Sequence, residues 1–187
     1  MEGKKMDYFA ALYNVARVVN ASLELSLVLS EIVRCTTETM GVKASSLRLL
    51  DPRKKKLLLA ATFGLTSDYI RKGPVLVEKS GLDRKVLKGK TILIEDAQTD
   101  KNFQYRERAK EEGIKSVLVV PMKAEKKIIG VLRVYTGKIK IFKEKDIQFL
   151  EAVANLSAIA IENARLHQNL KTECDLLVAH KYRLDDN

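Results

Sequence analysis

The sequence predicts an α+β fold: an antiparallel sheet with the terminal helices on one face and irregular segments on the other. Three observations lead there. Ser116 to Tyr135 reads as a hairpin, two runs of Val, Ile and Leu joined by a polar turn over Ala124 to Lys127. Segments of helical spacing precede the first strand and follow the last. The strands between them are joined by tight turns and short helices, which makes the sheet antiparallel. The hairpin is almost continuously apolar, so both of its faces are expected to be covered.

The elements follow in order. Asp7 to Val19 has helical spacing, with Phe9, Leu12, Tyr13, Ala16 and Val19 on one side, and Asn20-Ala21-Ser22 interrupts it. A second helix runs from about Leu25 to Met40, with Leu25, Val28, Leu29, Ile32, Val33 and Thr36 as its apolar face, and Gly41 stops it. Ala44 to Leu50 reads as a strand, Asp51 to Lys56 as a turn opened by Asp51-Pro52, and Leu57 to Phe63 as the hairpin partner. Gly64 to Glu78 is irregular apart from a strand-like Val75-Leu76-Val77. Ser80 is placed to cap a short helix through Leu87, with Gly89 beyond its end. Thr91 to Glu95 is a strand, Asp96 to Tyr105 a polar turn region, and Arg106 to Glu112 a short helix ended by Gly113.

The last helix runs from about Lys143 to Leu184. Ile147, Leu150, Val153, Ala154, Ile159 and Ile161 are expected to pack on the domain. Leu156, Asn163, Leu170, Leu177 and Leu184 recur every seven residues, as a d column beside a mixed a column of Val153, Ala160, His167, Cys174 and Lys181. A helix projecting alone this far is marginal in water, so a parallel dimeric coiled coil is expected, the other reading being a frayed charged tail. The sequence stops inside this pattern, as expected of a chain cut before an output domain.

Composition sets the bounds. At 187 residues and 46% hydrophobic, the chain fits one domain with extensions and can bury a sizeable core. No apolar run approaches a membrane span and no signal peptide is evident, so a cytoplasmic location without membrane insertion is expected. Cys35 and Cys174 are isolated and form neither a disulfide framework nor a zinc site; buried or half-buried structural thiols are expected. The formal charge of +10 is spread over turns such as Arg53 to Lys56 without interleaved aromatics, so solvated turns rather than a nucleic-acid surface are expected.

Arg48 and Arg133 are lone charges inside apolar strands. Each must pair with a carboxylate, for which Glu78, Glu95 and Asp96 are the local candidates, cover apolar surface with its stem, or meet a ligand. On a pocket wall they would favour a carboxylate or phosphate ligand. Tyr69, Phe103 and Tyr105 stand in the covering loops, either as pocket walls or as satellite packing. Catalysis has little support. No Ser–His–Asp arrangement, Gly-rich phosphate loop or His/Cys cluster of metal spacing occurs.

The chain resembles the GAF domains over about Ser22 to Leu170. The resemblance rests on Gly41 to Asp51, Gly81-Leu82 with Val86 to Lys90, Ile94-Glu95-Asp96, Ser116 to Pro121, Ile129 to Leu132, Phe142 with Asp146, and Ala158 to Ala164, in this order and spacing. It implies a six-stranded antiparallel sheet of GAF/PAS-like type with a pocket on the side away from the terminal helices. The first and fifth strand runs would lie side by side, bringing Arg48 and Arg133 to one face, and Asp96 would sit at the pocket mouth, where it binds ligand or caps the following turn. It divides the chain into an N-terminal helix over 1–21, the GAF domain over 22–170 and a helical extension over 171–187.

The resemblance also implies a function: a non-catalytic sensory or regulatory module of a signal-transduction protein. Such a module binds a small molecule, here an anion by the chemistry of the two arginines, and relays through a dimeric exit helix to an output domain in cis. Ligand residues would be Arg48, Tyr69, Asp96, Phe103, Tyr105 and Arg133, and dimer residues Leu156, Asn163, Leu170, Leu177 and Leu184. No cofactor is identifiable. Bilin-binding members carry a pocket cysteine, and none lies between Thr36 and Glu173; haem would need a histidine, and His167 and His180 both lie on the exit helix. Cyclic-nucleotide binders carry Asn-Lys, Phe, three residues, then Asp-Glu; Phe142 and Asp146 match, but Ile147 replaces the Glu and no Asn-Lys precedes. A stand-alone enzyme and a structural dimerisation module without ligand are the remaining readings.

Overall fold

The computed structural model describes residues 7–21 and 24–185, with side chains described as far as Leu177. Ser22, the expected domain start, and the side chains of Lys181 and Leu184 lie outside the described residues. The order is α1 (Tyr8–Ala21), α2 (Leu25–Met40), β1 (Ala44–Leu50), β2 (Lys56–Phe63), α3 (Ser67–Ile70), β3 (Val75–Leu76), a 3-10 turn (Val77–Lys79), α4 (Gly81–Val86), β4 (Ile92–Ile94), α5 (Arg106–Glu111), β5 (Val117–Ala124), β6 (Lys127–Tyr135) and α6 (Glu144–Asp185). The strands form one six-stranded antiparallel sheet, β3-β2-β1-β6-β5-β4. Its centre is the pairing of β1 with β6.

The pleat sends alternate residues to two cores. Leu118, Val120 and Met122 of β5 and Leu132 and Val134 of β6 face α2 and α6, meeting Ile32, Val33, Phe149, Leu150 and Val153. Val117, Val119, Val131 and Tyr135 face the other way, onto Tyr69, Leu82, Val86 and Phe103. This is why the hairpin is apolar throughout. Gly130 allows β6 to cross tightly under β1: a Cβ there would lie 2.2 Å from the Arg48 carbonyl oxygen. Gly41 ends α2 in the left-handed region at φ 56, its N–H and that of Val42 donating to the last carbonyls of the helix.

Several expectations fail. In α1 the buried residues are Ala11 and Val15, whereas Phe9 is 83% exposed and Tyr13 64%. Small side chains let α1 approach the other helices closely, and Tyr8 takes the aromatic role by stacking on Phe149 at 4.4 Å between ring centroids. In α6, Ile159 is 52% exposed rather than packed, while Val153 and Ala160 are buried in the domain's own core and cannot serve as an a column. Leu156 also packs partly against that core. The exposed apolar residues Ile159, Leu166, Leu170 and Leu177 alternate with Asn163 and Glu173 at four- and three-residue steps, a seam that keeps Asn163, Leu170 and Leu177 of the expected column beside a different flanking column. Cys35 is half-buried, but Cys174 is exposed. Among the described residues no helix is long and apolar enough to cross a membrane.

Candidate functional site

Registry places the two strand arginines. Ser46 pairs with Arg133 and Arg48 with Val131, so Arg48 and Arg133 are diagonal neighbours on one face, about 7–8 Å apart. That face is the loop-covered one. Arg48 is 1% exposed and Arg133 2%.

The two guanidiniums are treated differently. Arg133 donates to Asp83 Oδ1 at 2.5 Å, an ion pair buried on both sides. Burial works to lower the Arg133 guanidinium, but the Asp83 carboxylate, with Tyr135 and Tyr69 acting the same way, outweighs it and the net direction is up. Asp83 comes from the first turn of α4. Ser80 caps that helix by accepting from the Asp83 N–H at 3.2 Å, while its hydroxyl donates to Asp83 Oδ2 at 2.6 Å. One short helix thus fixes the counter-ion by its own capping chemistry. Among the described residues Arg48 makes one hydrogen bond, donating to the Leu57 carbonyl at 3.3 Å. Burial, and after it the neighbouring Arg133, push its guanidinium down from the usual range.

A third cation joins them. Lys72, in the turn after α3, lies 3.1 Å above the centroid of the Tyr69 ring and 5.0 Å from that of Tyr105. Burial, with repulsion from Arg48 and Arg133, pushes its ammonium down to about 5. The faces of the Tyr69 and Tyr105 rings favour the charged form and work the other way. Glu112, the other nearby carboxylate, accepts from the Thr66 N–H and hydroxyl and lies 3.7 Å from Lys43.

Three buried polar atoms here have no hydrogen-bond partner among the described residues: Arg48 Nε, Arg133 Nε and the Tyr69 hydroxyl. Ser46 Oγ and the Tyr135 hydroxyl share a 2.9 Å bond alongside, and the Tyr69 and Tyr135 rings meet edge-on at 6.2 Å. The cluster is short of negative charge and of acceptors, which is the chemistry of an oxyanion site.

The other expected ligand residues are placed as follows. Phe103 is buried in the loop-side core. The Tyr105 hydroxyl donates to the Pro74 carbonyl at 2.9 Å. Asp96 Oδ1 accepts from the Gln98 N–H at 3.0 Å, and Oδ2 lies 3.6 Å from Lys115, so it caps its own turn. The carboxylate that pairs with Arg133 is Asp83, not Glu78, Glu95 or Asp96. Phe142 lies in the helix-side core, and Asp146 caps α6 by accepting from the Lys143 N–H at 2.8 Å and from the Tyr8 hydroxyl. Sequence reasoning missed Asp83 and Lys72. Asp83 carried a signal, since Ser80-x-x-Asp83 is a capping box. Lys72, in Arg71-Lys72-Gly73-Pro74, reads as any solvated turn lysine. Among the described residues no group of His, Cys, Asp and Glu could hold a metal.

The GAF domain profile matches residues 23–162. Among curated proteins, the chain is 23% identical to the formate hydrogenlyase transcriptional activator of Salmonella typhimurium, over 98% of this chain and 27% of that protein. It is 25% identical to the Nif-specific regulatory protein of Herbaspirillum seropedicae, over 94% of this chain and 34% of that protein. The chain therefore spans about a quarter to a third of the length of these relatives. Among solved structures, the GAF domain of a phosphoenolpyruvate-protein phosphotransferase from Coxiella burnetii superposes with a TM-score of 0.78 at 23% identity, covering 89% of this chain and 99% of that one. Free methionine-R-sulfoxide reductase from Neisseria meningitidis superposes with a TM-score of 0.71 at 21% identity, covering 86% and 91%. These structural likenesses concern the fold. With the profile matching most of its length and its sheet matching solved GAF domains, the chain belongs to the GAF domain family.

Proposed function

We propose that this GAF domain is a non-catalytic sensory module of a cytoplasmic signal-transduction protein. It binds a small anion at Arg48 and Arg133, beneath Tyr69 and Lys72, and relays the change through a dimeric α6 to an output domain. The observation that carries this reading is Arg48, a buried guanidinium that, among the described residues, has one long hydrogen bond, an Nε without a partner and no carboxylate of its own. A bound carboxylate or phosphate would supply the missing acceptors in bidentate form. The similarity to segments of transcriptional regulators supports the regulatory part. Both cysteines sit on helices, Cys35 on α2 and Cys174 on α6, so neither offers a thiol nucleophile to the loop-side arginine cluster.

The relay runs through Asp83. An anion that competes for Arg133 loosens the hold on α4, which packs on the sheet that α6 covers from behind. On α6, Ile159, Leu166, Leu170 and Leu177 offer an apolar seam to a second copy. One observation favours the ligand-free dimerisation reading: the Lys72 side chain already lies across Tyr69. Native mass spectrometry of the protein purified from its own host separates the two. A bound small anion that Arg48→Met removes supports the sensor, and a bare mass repeated across metabolite screens supports the dimerisation module.

A further inference from the structure

A second feature lies outside the arginine cluster. At one end of the sheet, the β1–β2 turn, the β5–β6 turn, the C-terminal end of α4 and the passing surface of α6 enclose a groove of about 750 Å³. Its floor is apolar, with Leu50, Leu87, Ile128, Ile129 and Ile161. Its rim carries Lys54, Lys88, Lys126, Lys127 and Arg165. Among the described residues Asp51 is the one carboxylate lining it, and its Oδ1 accepts from the N–H groups of Lys55 and Lys56 at 2.7 and 2.6 Å. Arg165 pairs with Glu162 at 3.0 Å, and Asp51 is spent in part on its own turn, which leaves the four lysines as the rim's excess of positive charge.

We propose that this groove docks an acidic amphipathic peptide segment of a signalling partner, apolar side chains on the floor and carboxylates on the lysine rim. Charge complementarity selects the occupant. A single-stranded nucleic acid needs aromatic side chains to stack on, and no aromatic residue lines the groove. A recessed apolar floor under a charged rim matches the recognition of an amphipathic helix instead. The position gives the contact a use. Leu50 and Leu87 belong to the loop-side core and Ile129 and Ile161 to the helix-side core, so an occupant bridges the sheet's two faces at their shared end. It touches the C-terminal end of α4, whose first turn holds Asp83, and α6.

The test uses the 187-residue chain and a fluorescein-labelled helical peptide with Leu at i, i+3, i+4 spacing and Glu elsewhere, read by fluorescence anisotropy. Saturable binding is expected, weakening with salt, and lost at least about tenfold when Gln replaces the Glu or Ser replaces the Leu. The turn variant Lys126→Glu/Lys127→Glu should lose about tenfold, while Lys110→Glu/Lys138→Glu, equal in charge change, should not. Ile128→Ser should also weaken binding; because it lies in β6, circular dichroism is run beside it, and the turn variant stands as the test outside the core. Equal binding of the Leu-free peptide, equal losses for both lysine pairs, no saturation, or tighter competition by an oligonucleotide or by phosphatidylserine vesicles would each overturn the proposal. Neither Arg48 nor Arg133 lines the groove, so the native mass result is independent of this outcome.

Discussion

Asp83→Asn is the sharpest perturbation the loop-side cluster offers. It keeps the size of the side chain and an acceptor for Ser80, and removes the one carboxylate bonded to Arg133. Both partners are buried, at 3% and 1% side-chain exposure. Stripping one partner from such a pair leaves an uncompensated charge and costs about 3–5 kcal/mol. For a chain of this size each kcal/mol moves the thermal midpoint by about 2–4 °C, so a fall of about 6–20 °C is expected. Removing both charges in Asp83→Leu/Arg133→Met should recover all but about 1–2 kcal/mol, since the desolvation cost of both ions disappears with them. Added phosphate should raise the midpoint of Asp83→Asn more than that of the wild type, because the variant leaves two buried guanidiniums without a carboxylate. Thermal and urea unfolding followed by circular dichroism measure all three. If Asp83→Asn costs less than about 1 kcal/mol, the figure for an exposed pair, water reaches the site and the reasoning fails.

Further predictions follow from the same geometry. Arg48→Met should leave stability unchanged or slightly raised in urea unfolding, because a buried charge without a carboxylate stabilises little; a loss above about 2 kcal/mol would make Arg48 structural. Burial and the two guanidiniums push the Lys72 ammonium down to about 5, so an anion that favours its charged form should bind with uptake of a proton. Between that value and the ordinary lysine range, anion affinity should fall as pH rises, and calorimetry in buffers of different ionisation enthalpy should show uptake of up to about one proton, abolished in Lys72→Met. Light scattering should show a dimer that Leu170→Lys/Leu177→Lys shifts toward monomer; a variant that stays dimeric places the interface elsewhere.

The sheet was legible because its signals are local. Runs of Val, Ile and Leu, Asp51-Pro52 and Gly41 each act within a few residues, and the apolar hairpin announced two covered faces. The α1 face was misjudged because size was taken for burial: Phe9 and Tyr13 point outward, and the close helix contact goes to Ala11 and Val15. The column that flanks the exit-helix leucines was misplaced because periodicity cannot say which residues its own domain has already used; Val153 and Ala160 are consumed by the core. The strand arginines stood out as charges in apolar runs. Their partners did not, since Asp83 is fifty residues from Arg133 and doubles as a helix-cap residue. Lys72 becomes distinctive only when folding lays it over Tyr69 beside two guanidiniums.

The central claim is that the buried guanidiniums form an anion site. Arginine-selective nitrogen NMR reads it directly, by following each Nε–H as acetate and inorganic phosphate are titrated into the chain. The account predicts that the resonances of Arg48 and Arg133, whose Nε atoms have no partner among the described residues, shift together and saturate, and that Arg48→Met abolishes the response of Arg133. Saturating shifts confined to exposed arginines such as Arg34 and Arg71, with Arg48 and Arg133 unmoved at every concentration, would contradict it.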